Sequence, residues 1–332
     1  MTRLAIIGGG SWGTALSVVL APRFDSVRLW VYEDGLAARM AATRENPVFL
    51  PGIALPPAVD PRSTFEEVLE GAEIVLTVMP SHHVRTVASA MLPFLTPGML
   101  FVSATKGIEN GTLLRMSQVL EEVIGPKFAP RVAVLSGPTF AREIALGEPA
   151  AIAIASNDSR LAALIQDSFS GPTFRLYTNS DPIGVEIGAA LKNIIAIAAG
   201  VCQGLGLGSN SRAALITRGL AEISRLAAAM GANPLTLAGL AGLGDLVLTC
   251  TGELSRNRRV GIDLASGKSL QEILDSMKMV AEGVQTTYAA LGLARKFGVN
   301  LPITAKVEAI LSGRTSPREA LRELMERSLK GE

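Results

Sequence analysis

Residues 4–15 of the chain read LAIIGGGSWGTA. A short apolar run, residues 4–7, comes directly before the pattern G-x-G-x-x-G, whose glycines are Gly8, Gly10 and Gly13. Such glycines permit a tight turn, close approach of the backbone to a pyrophosphate, and close packing of the following helix on the strand. The N-terminus of that helix adds N–H donors and positive potential. The segment predicts a dinucleotide site at the start of an α/β domain, and a purely structural turn is the alternative.

The first 180 residues alternate β-rich runs with helical stretches. The predicted strands are 4–7, 27–31, 74–79, 99–104, 132–136, 150–155 and 174–178. Nearly continuous apolar strands separated by helices are typical of a parallel sheet covered on both faces. The fold class is therefore α/β, with an N-terminal Rossmann-like doubly wound parallel sheet. Residues 46–57, NPVFLPGIALPP, predict a proline-rich loop, and Ser63 with Glu66 predicts a helix capping box.

After Asp181 the β-rich runs stop and helical patterns take over. The predicted helices are 183–202, 211–230, 254–266, 284–297, 301–311 and 316–329. We therefore expect two domains. The expected units are a Rossmann domain that binds NAD(P) over residues 1–180 and an all-helical substrate and catalytic domain over residues 181–332.

Composition excludes several classes of protein. Lys and Arg number 31 and Asp and Glu 30, a balance of +1, so no overall field favours nucleic acid or an anionic membrane surface. The hydrophobic fraction is 48%, but no uninterrupted apolar stretch reaches the ~20 residues of a membrane span. The apolar run near the N-terminus is too short for a signal peptide. We expect a cytoplasmic protein with no nucleic-acid partner and no membrane span.

Cysteines and histidines are few. Cys202 and Cys250 both lie in apolar surroundings, which is typical of reduced core thiols in the cytosol. His82 and His83 are the only histidines, and no cysteine or acidic cluster has ligand spacing to them. We expect no metal site.

Lys192 is the only charged residue in residues 187–202, IGAALKNIIAIAAGVC. A buried ammonium without a partner is so unfavourable that the amine loses its proton or binds a ligand. At helical spacing, positions 188, 189, 192, 196 and 199 share a face, and all but the lysine are Gly or Ala. Small neighbours leave room for a ligand, so Lys192 is a candidate proton carrier. The alternative is a lysine whose long stem reaches water.

The second strand ends in Trp30-Val31-Tyr32-Glu33, and Glu33 lies 20 residues beyond Gly13. A carboxylate at that spacing accepts hydrogen bonds from the adenosine ribose hydroxyls and repels a 2′-phosphate, which favours NAD over NADP. Alternatively, Glu33 is solvated and Tyr32 makes the contact.

Polar residues follow two later strands and open one helix. Lys106 and the segment 136–141, SGPTFA, follow predicted strands at the carboxyl ends where open α/β sheets bind ligands. Asp245 is an acid among apolar residues, and residues 255–259, SRNRR, open a helix. A serine N-cap beside Arg and Asn side chains can hold a phosphate or another oxyanion. The alternatives are a surface lysine, ordinary helix caps at Thr139 and Asp245, and solvated arginines.

The chain resembles the bacterial type of NAD(P)-dependent glycerol-3-phosphate dehydrogenase. The resemblance rests on blocks in family order: 8–15 (GGGSWGTA), 104–109 (ATKGIE), 136–143 (SGPTFARE), 186–200 (EIGAALKNIIAIAAG), 210–220 (NSRAALITRGL), 239–250 (GLAGLGDLVLTC), 255–259 (SRNRR) and 282–283 (EG). Many family members carry Arg or His just after the second strand, where this chain has Tyr32 and Glu33. That departure affects the preference for NADP and not the reaction class.

The resemblance implies roles for matching residues. Lys192 is the implied proton acceptor, and the implied substrate contacts are Lys106, Gly137, Thr139, Lys192, Asp245, Ser255, Arg256 and Asn257. Together with the motif glycines Gly8, Gly10 and Gly13 and with Glu33, the expected cofactor contacts are Ser11, Trp12, Tyr32, Phe49, Lys106, Ala141, Arg256, Val280 and Glu282. Asp245 is expected to orient Lys192 or a substrate hydroxyl.

The implied reaction interconverts sn-glycerol 3-phosphate and dihydroxyacetone phosphate. Neutral Lys192 would take the C2 hydroxyl proton while hydride leaves C2 for the nicotinamide, and its ammonium would return the proton in the reverse direction. By resemblance the cellular direction is reduction, which supplies glycerophospholipid synthesis. The helical half has enough apolar residues to bury a face in a homodimer.

Two other interpretations remain open. A β-hydroxyacid dehydrogenase also joins a Rossmann domain to a helical domain, but its substrate anion is a carboxylate, so dependence on phosphate distinguishes it. A non-catalytic dinucleotide sensor is the second. Lys192 and the segment 255–258 argue against a sensor, which needs neither a proton carrier nor a phosphate site.

Overall fold

The computed structural model describes residues 2–277 and 279–328. Its strands, in chain order, are β1 Arg3–Ile7, β2 Ser26–Trp30, β3 Glu45–Asn46, β4 Leu50–Ala54, β5 Val59–Arg62, β6 Ile74–Thr77, β7 Leu100–Ser103, β8 Arg131–Ser136, β9 Ala150–Ala155 and β10 Phe174–Asn179. Its α-helices are α1 Ser11–Leu20, α2 Leu36–Thr43, α3 Phe65–Leu69, α4 Val84–Met91, α5 Met116–Ile124, α6 Ala141–Ala145, α7 Ser159–Phe169, α8 Pro182–Gly204, α9 Ser209–Ala229, α10 Pro234–Leu237, α11 Asp245–Thr251, α12 Arg256–Ala265, α13 Leu270–Ser276, α14 Glu282–Phe297, α15 Pro302–Leu311 and α16 Pro317–Met325. A π-helical segment, Leu240–Gly244, precedes α11.

These elements form two compact units. The first contains residues 1–106 and 114–186, and the second contains residues 107–113 and 187–332. The division after residue 186 falls inside α8, slightly later than the predicted boundary after residue 180. The sequence pattern did not indicate that residues 107–113 belong with the second unit.

Within the described part of the first unit, eight strands form one sheet in the order β10-β9-β8-β7-β6-β1-β2-β5. β1 pairs in parallel with β2 on one side and with β6 on the other, so the strand order reverses there. Open α/β sheets bind ligands at the carboxyl ends of strands beside such a point. The Rossmann-like doubly wound fold is confirmed. It includes an antiparallel pairing of β8 with β9 that the strand pattern did not indicate.

Alternation along β1 shows how the sheet is covered on both faces. Leu4 and Ile6 belong to one buried cluster, and Ala5 and Ile7 belong to another. Successive side chains of a strand point to opposite faces, so two clusters fed by alternate residues mean two covered faces.

Two local predictions in this unit are wrong. Residues 46–57 are not a loop throughout, because β4 pairs with β3 as a short antiparallel hairpin and buries Leu50 and Ile53. The cap of α3 lies one residue later than predicted, since Thr64 accepts a hydrogen bond from the Glu67 backbone N–H at 3.4 Å.

The second unit is helical, and the six predicted helices are confirmed to within a few residues, as α8, α9, α12, α14, α15 and α16. The predicted end of the last helix, residue 329, lies outside the described residues. By length and composition alone, the stretches Pro182–Gly204 and Pro234–Thr251 could each cross a membrane. Of the apolar window in the first, 94% is buried inside the protein, as in the core helix of a globular protein.

Helices α8 and α12 cross with their backbones in contact. A β-carbon on Gly200 would lie 1.9 Å from the carbonyl oxygen of Arg258, and one on Gly261 would lie 1.9 Å from that of Ile197. No side chain fits between the two helices at this point. The crossing therefore sets the position of the first turn of α12 relative to α8.

We expect Gly200→Ala to lower the free energy of unfolding by about 1–3 kcal/mol or more, because the added methyl group overlaps backbone that cannot move alone. Thermal and urea unfolding measure the change. Gly98→Ala is the matched control, since a β-carbon there meets nothing within 4 Å. Equal stability of the two variants would contradict the argument.

Candidate active site

The glycine motif after β1 combines tight packing with open space. Gly8 has φ +129°, and a β-carbon there would lie 2.6 Å from the Val78 carbonyl oxygen. A β-carbon on Gly13 would lie 1.9 Å from the Gly8 carbonyl oxygen. Gly10 differs, because a β-carbon there meets nothing within 4 Å, and as the N-cap of α1 it provides no side-chain acceptor. Gly8 and Gly13 shape the turn, while Gly10 leaves open space at a helix N-terminus, which is an environment that favours anions.

The β3–β4 hairpin is fastened to this turn. Ser11 donates its hydroxyl to the Phe49 carbonyl oxygen at 2.8 Å. The buried Asn46 amide donates to the Gly9 carbonyl oxygen at 2.8 Å and accepts from the Phe49 N–H at 3.0 Å. The predicted contacts Ser11 and Phe49 thus lie together. Asn46 was missed, and its signal is a lone amide side chain entering a largely apolar segment.

Trp12 carries an unsatisfied donor in the same place. Its indole Nε1 is buried and has no hydrogen-bond partner, although buried polar groups normally have one. The indole packs against the cluster of Ala15, Leu50 and Ile53, and so does Ala141. An open helix N-terminus and an orphan donor fit a bound dinucleotide.

Tyr32 and Glu33 follow the end of β2 and are exposed. The Tyr32 side chain is 78% exposed, and its ring centroid lies 6.0 Å from that of Trp30. An open aromatic face beside a carboxylate is available to an adenosine group. The preference for NAD remains a prediction.

Lys106, Gly137 and Thr139 come together at the carboxyl ends of β7 and β8. The Lys106 ammonium donates to the Gly137 carbonyl oxygen at 3.2 Å and to the Thr139 hydroxyl at 3.5 Å. Thr139 donates to the same Gly137 oxygen at 3.1 Å. Thr139 is not a helix cap, since the N-cap of α6 is Phe140. The structure thus brings three predicted substrate contacts into one hydrogen-bonded group.

Lys192 and Asp245 form a buried ion pair in the second unit. Lys192 Nζ lies 2.5 Å from Asp245 Oδ1, and the two side chains are 6% and 0% exposed. Lys192 also donates to the Thr249 hydroxyl at 2.7 Å, and Thr249 donates to the Asp245 carbonyl oxygen at 2.6 Å. Coulombic attraction at this distance opposes the desolvation cost of both charges. Thr249 was missed. Its signal is its position four residues after Asp245 on the same helical face.

Two glycines allow close packing at the π-helical segment: Gly188 lets α8 approach it, and Gly242 lets it fold back against the end of α10. A β-carbon on Gly188 would lie 2.7 Å from the Ala241 carbonyl oxygen, and one on Gly242 would lie 2.1 Å from that of Leu237. A single π turn inside a helix is frequent at functional sites. Here it ends immediately before Asp245 and helps to place that carboxylate against Lys192.

The first turn of α12 holds three predicted substrate contacts. Ser255 is its N-cap and accepts from the Arg258 N–H at 3.3 Å. Arg256 donates to the Val280 carbonyl oxygen at 2.8 Å, so two predicted cofactor contacts lie together. Glu282 begins α14 nearby in the chain.

Asn257 links three helices. Its amide donates to Asn193 Oδ1 at 3.0 Å, and its oxygen accepts from the Gly283 N–H at 2.9 Å. Asn193, which adjoins Lys192, was also missed. Its signal was its place as the one polar residue besides Lys192 in the apolar stretch 187–202.

The described cysteines are both buried, and the described histidines belong to no cluster of metal-ligating side chains. Cys202 and Cys250 are free and buried, as predicted, and burial raises the pKa of the Cys250 thiol to about 12. Partial desolvation lowers the pKa of His82, which is exposed at the surface. No group of three His, Cys, Asp or Glu side chains within residues 2–277 and 279–328 could hold a metal ion.

Two family models match the chain. The N-terminal model of NAD-dependent glycerol-3-phosphate dehydrogenase matches residues 3–162, and the C-terminal model matches residues 181–322. The chain belongs to this family. A glycerol-3-phosphate dehydrogenase [NAD(P)+] of Koribacter versatilis is 57% identical, with 98% of each chain covered. Its counterpart in Geobacter sulfurreducens is 53% identical, with 99% of this chain and 98% of the relative covered.

Solved structures of glycerol-3-phosphate dehydrogenases have the same fold as this chain. A crystal structure of glycerol-3-phosphate dehydrogenase from Coxiella burnetii has a TM-score of 0.93 and 41% identity, covering 98% of this chain and 99% of that one. The Plasmodium falciparum enzyme, at 22% identity, covers 99% of this chain and 97% of that one with a TM-score of 0.88, which shows the shared fold.

A double-mutant cycle tests the buried pair. We expect Lys192→Met or Asp245→Leu alone to lower the free energy of unfolding by about 3–5 kcal/mol, because each leaves the other charge buried without its partner. The double variant removes both charges and should lose less than the sum of the two single variants. Urea unfolding of the four proteins gives the coupling, and additive losses would contradict it.

Proposed function

We propose that this protein is an NAD(P)-dependent glycerol-3-phosphate dehydrogenase that interconverts dihydroxyacetone phosphate and sn-glycerol 3-phosphate. The observation that carries the proposal is the buried Lys192–Asp245 pair with Thr249. An isolated buried ion pair seldom stabilises a fold more than apolar residues of similar size would, so its presence favours a chemical role. Full-length relatives that carry this enzyme's name support the same assignment.

The cofactor site would be formed by the glycine motif with Ser11 and Trp12, together with Tyr32, Glu33, Phe49, Lys106, Ala141, Arg256, Val280 and Glu282. When bound, the nicotinamide supplies hydride to the substrate carbon or removes it. Backbone N–H groups at the start of α1 would hold the pyrophosphate, and Trp12 Nε1 would gain its missing acceptor.

Lys192 would move the proton. In reduction, its Nζ gives a proton to the carbonyl oxygen at C2 of dihydroxyacetone phosphate as that oxygen becomes a hydroxyl. In oxidation, the neutral amine takes the same proton back. Asp245 stabilises the charged amine, and Thr249 fixes its direction with a second hydrogen bond.

The phosphate would bind at the start of α12. Its helical N–H groups favour an anion, and the guanidinium of Arg256 forms charge-assisted hydrogen bonds to phosphate oxygens. Arginine has five N–H donors, so the bond to Val280 orients the group without exhausting it. Asn257 is held by Asn193 and Gly283 and would present its amide in a fixed direction. In the first unit, Lys106, Gly137 and Thr139 are the proposed substrate contacts.

By family resemblance, the working direction is reduction of dihydroxyacetone phosphate for glycerophospholipid synthesis. A cytoplasmic location, the absence of a nucleic-acid partner and assembly as a homodimer stay predictions. Gel filtration with light scattering would determine the oligomeric state.

The decisive experiment follows NADH or NADPH oxidation with dihydroxyacetone phosphate, using unphosphorylated dihydroxyacetone and a β-keto acid as controls. Oxidation that requires the phosphate is expected. Lys192→Ala should lower turnover by about 10²-fold or more while still binding NADH, because it removes the proton donor. Turnover with the keto acid alone would refute the proposal, and near-normal turnover in the variant would refute the role of Lys192 as proton carrier.

The phosphate site has its own test. We expect Arg256→Ala to raise the KM for dihydroxyacetone phosphate by about tenfold or more, because a charge-assisted hydrogen bond is lost. Arg259→Ala is the matched control on the same helix, since Arg259 is exposed and pairs with Asp263. A KM that is unchanged in the first variant, or equally raised in both, would rule out this role.

A further inference from the structure

Arg62 ends β5, beside the end of β2 that leads to Tyr32 and Glu33. It is in register with Trp30, and its carbonyl oxygen accepts from the Val31 N–H at 2.8 Å. The Trp30 indole donates to the next carbonyl oxygen, that of Ser63, at 3.1 Å. These bonds fix Arg62 next to the segment proposed to hold the adenosine.

The Arg62 guanidinium forms ion pairs with two carboxylates. Its Nε and one terminal nitrogen each lie 2.9 Å from Asp60 Oδ2, and the other terminal nitrogen lies 3.1 Å from Glu67 Oε1. Glu67 is in turn held by the Thr64 hydroxyl at 2.7 Å. Asp60, and to a smaller extent Glu67, raise the pKa of Arg62, because each carboxylate stabilises the charged guanidinium.

Arginine near this strand end is the residue type that accommodates a 2′-phosphate, whereas a carboxylate there pairs with the ribose hydroxyls. Each exposed ion pair contributes little alone. However, a 2′-phosphate that approached Arg62 would be repelled by the carboxylates of Asp60 and Glu67, and by Glu33, which is exposed on the neighbouring segment. To bind the phosphate, Arg62 would also have to give up its two ion pairs. The repulsion and the loss of these pairs both disfavour NADP.

We infer that Arg62 is a specificity-determining residue. Because its ion pairs with Asp60 and Glu67 keep its guanidinium from binding a 2′-phosphate, the site favours NAD over NADP. The inference deepens the proposed function and rests on it for the identity of the ligand. It predicts that neutralising the two carboxylates makes Arg62 available to a 2′-phosphate.

The test compares nucleotide binding, without substrate, in the wild type and in Asp60→Asn/Glu67→Gln. The cap of α3 should persist, because it is the hydrogen bond from the Glu67 backbone N–H to Thr64, and the new side-chain amide oxygen can still accept from the Thr64 hydroxyl. Titrations follow NADH and NADPH fluorescence, with ADP and 2′,5′-ADP as competitors that lack the nicotinamide. We expect the double variant to bind NADPH and 2′,5′-ADP about tenfold more tightly, with little change for NADH and ADP.

Two controls separate the effect of freeing Arg62 from the effect of removing negative charge. Adding Arg62→Ala to the double variant should abolish the gain for NADPH, although both carboxylates are still neutral. Glu70→Gln also removes a nearby negative charge, but Glu70 pairs with Arg28, so the ratio of the two affinities should not change.

Three outcomes would overturn the inference. One is an unchanged NADPH-to-NADH ratio in the double variant, and another is a gain that persists without Arg62. The third is a wild type that prefers NADPH and loses this preference in Arg62→Ala, because Arg62 would then already be in use. A protein that shows the expected binding but does not reduce dihydroxyacetone phosphate would refute the proposed function alone.

Discussion

The second unit depends on the need to bury an ammonium and a carboxylate together. Lys192 and Asp245 are almost fully enclosed, so neither charge is stable without the other. Their 2.5 Å contact requires α8 to lie close to the chain before α11, which explains why Gly188 faces the Ala241 backbone. A small residue at position 188 is therefore a packing requirement of the ion pair.

Lys192 could be predicted from the sequence as a buried charge, because a charged residue inside an apolar helix is visible without knowing the fold. The residues that contact it were harder to predict. Thr249 lies 57 residues away, and helical periodicity predicts which face a residue occupies but not which helix will meet it. Asn193 and Asn46 were missed for the same reason, since each is explained by a partner distant in the chain. Asp245 was a candidate as an acid among apolar residues and by family resemblance, and the geometry shows what it contacts.

Contacts between distant parts of the chain also limited the prediction of the fold. Strands with nearly continuous apolar residues, such as 150–155, were predicted because burial on both faces leaves a clear pattern. β5 has no such pattern, since an edge strand tolerates Asp60 and Pro61. The β3–β4 hairpin was not predicted because its prolines indicate a loop. Its burial against α1 is a tertiary contact that has no local sequence pattern. Strand direction leaves no local signal, so the antiparallel β8–β9 pairing could not be predicted.

Glycine has two opposite uses in this molecule, and the space around each residue separates them. Gly13 and Gly200 are fully accounted for by their own fold, because neighbouring backbone atoms occupy the space of a side chain. Gly10 is not, since nothing approaches it and its helix N-terminus has no cap. A turn built only for packing gains nothing from glycine at that position and would tolerate a Ser or Asp cap. Open space at Gly10, next to the unpaired indole of Trp12, therefore favours a ligand over a purely structural turn.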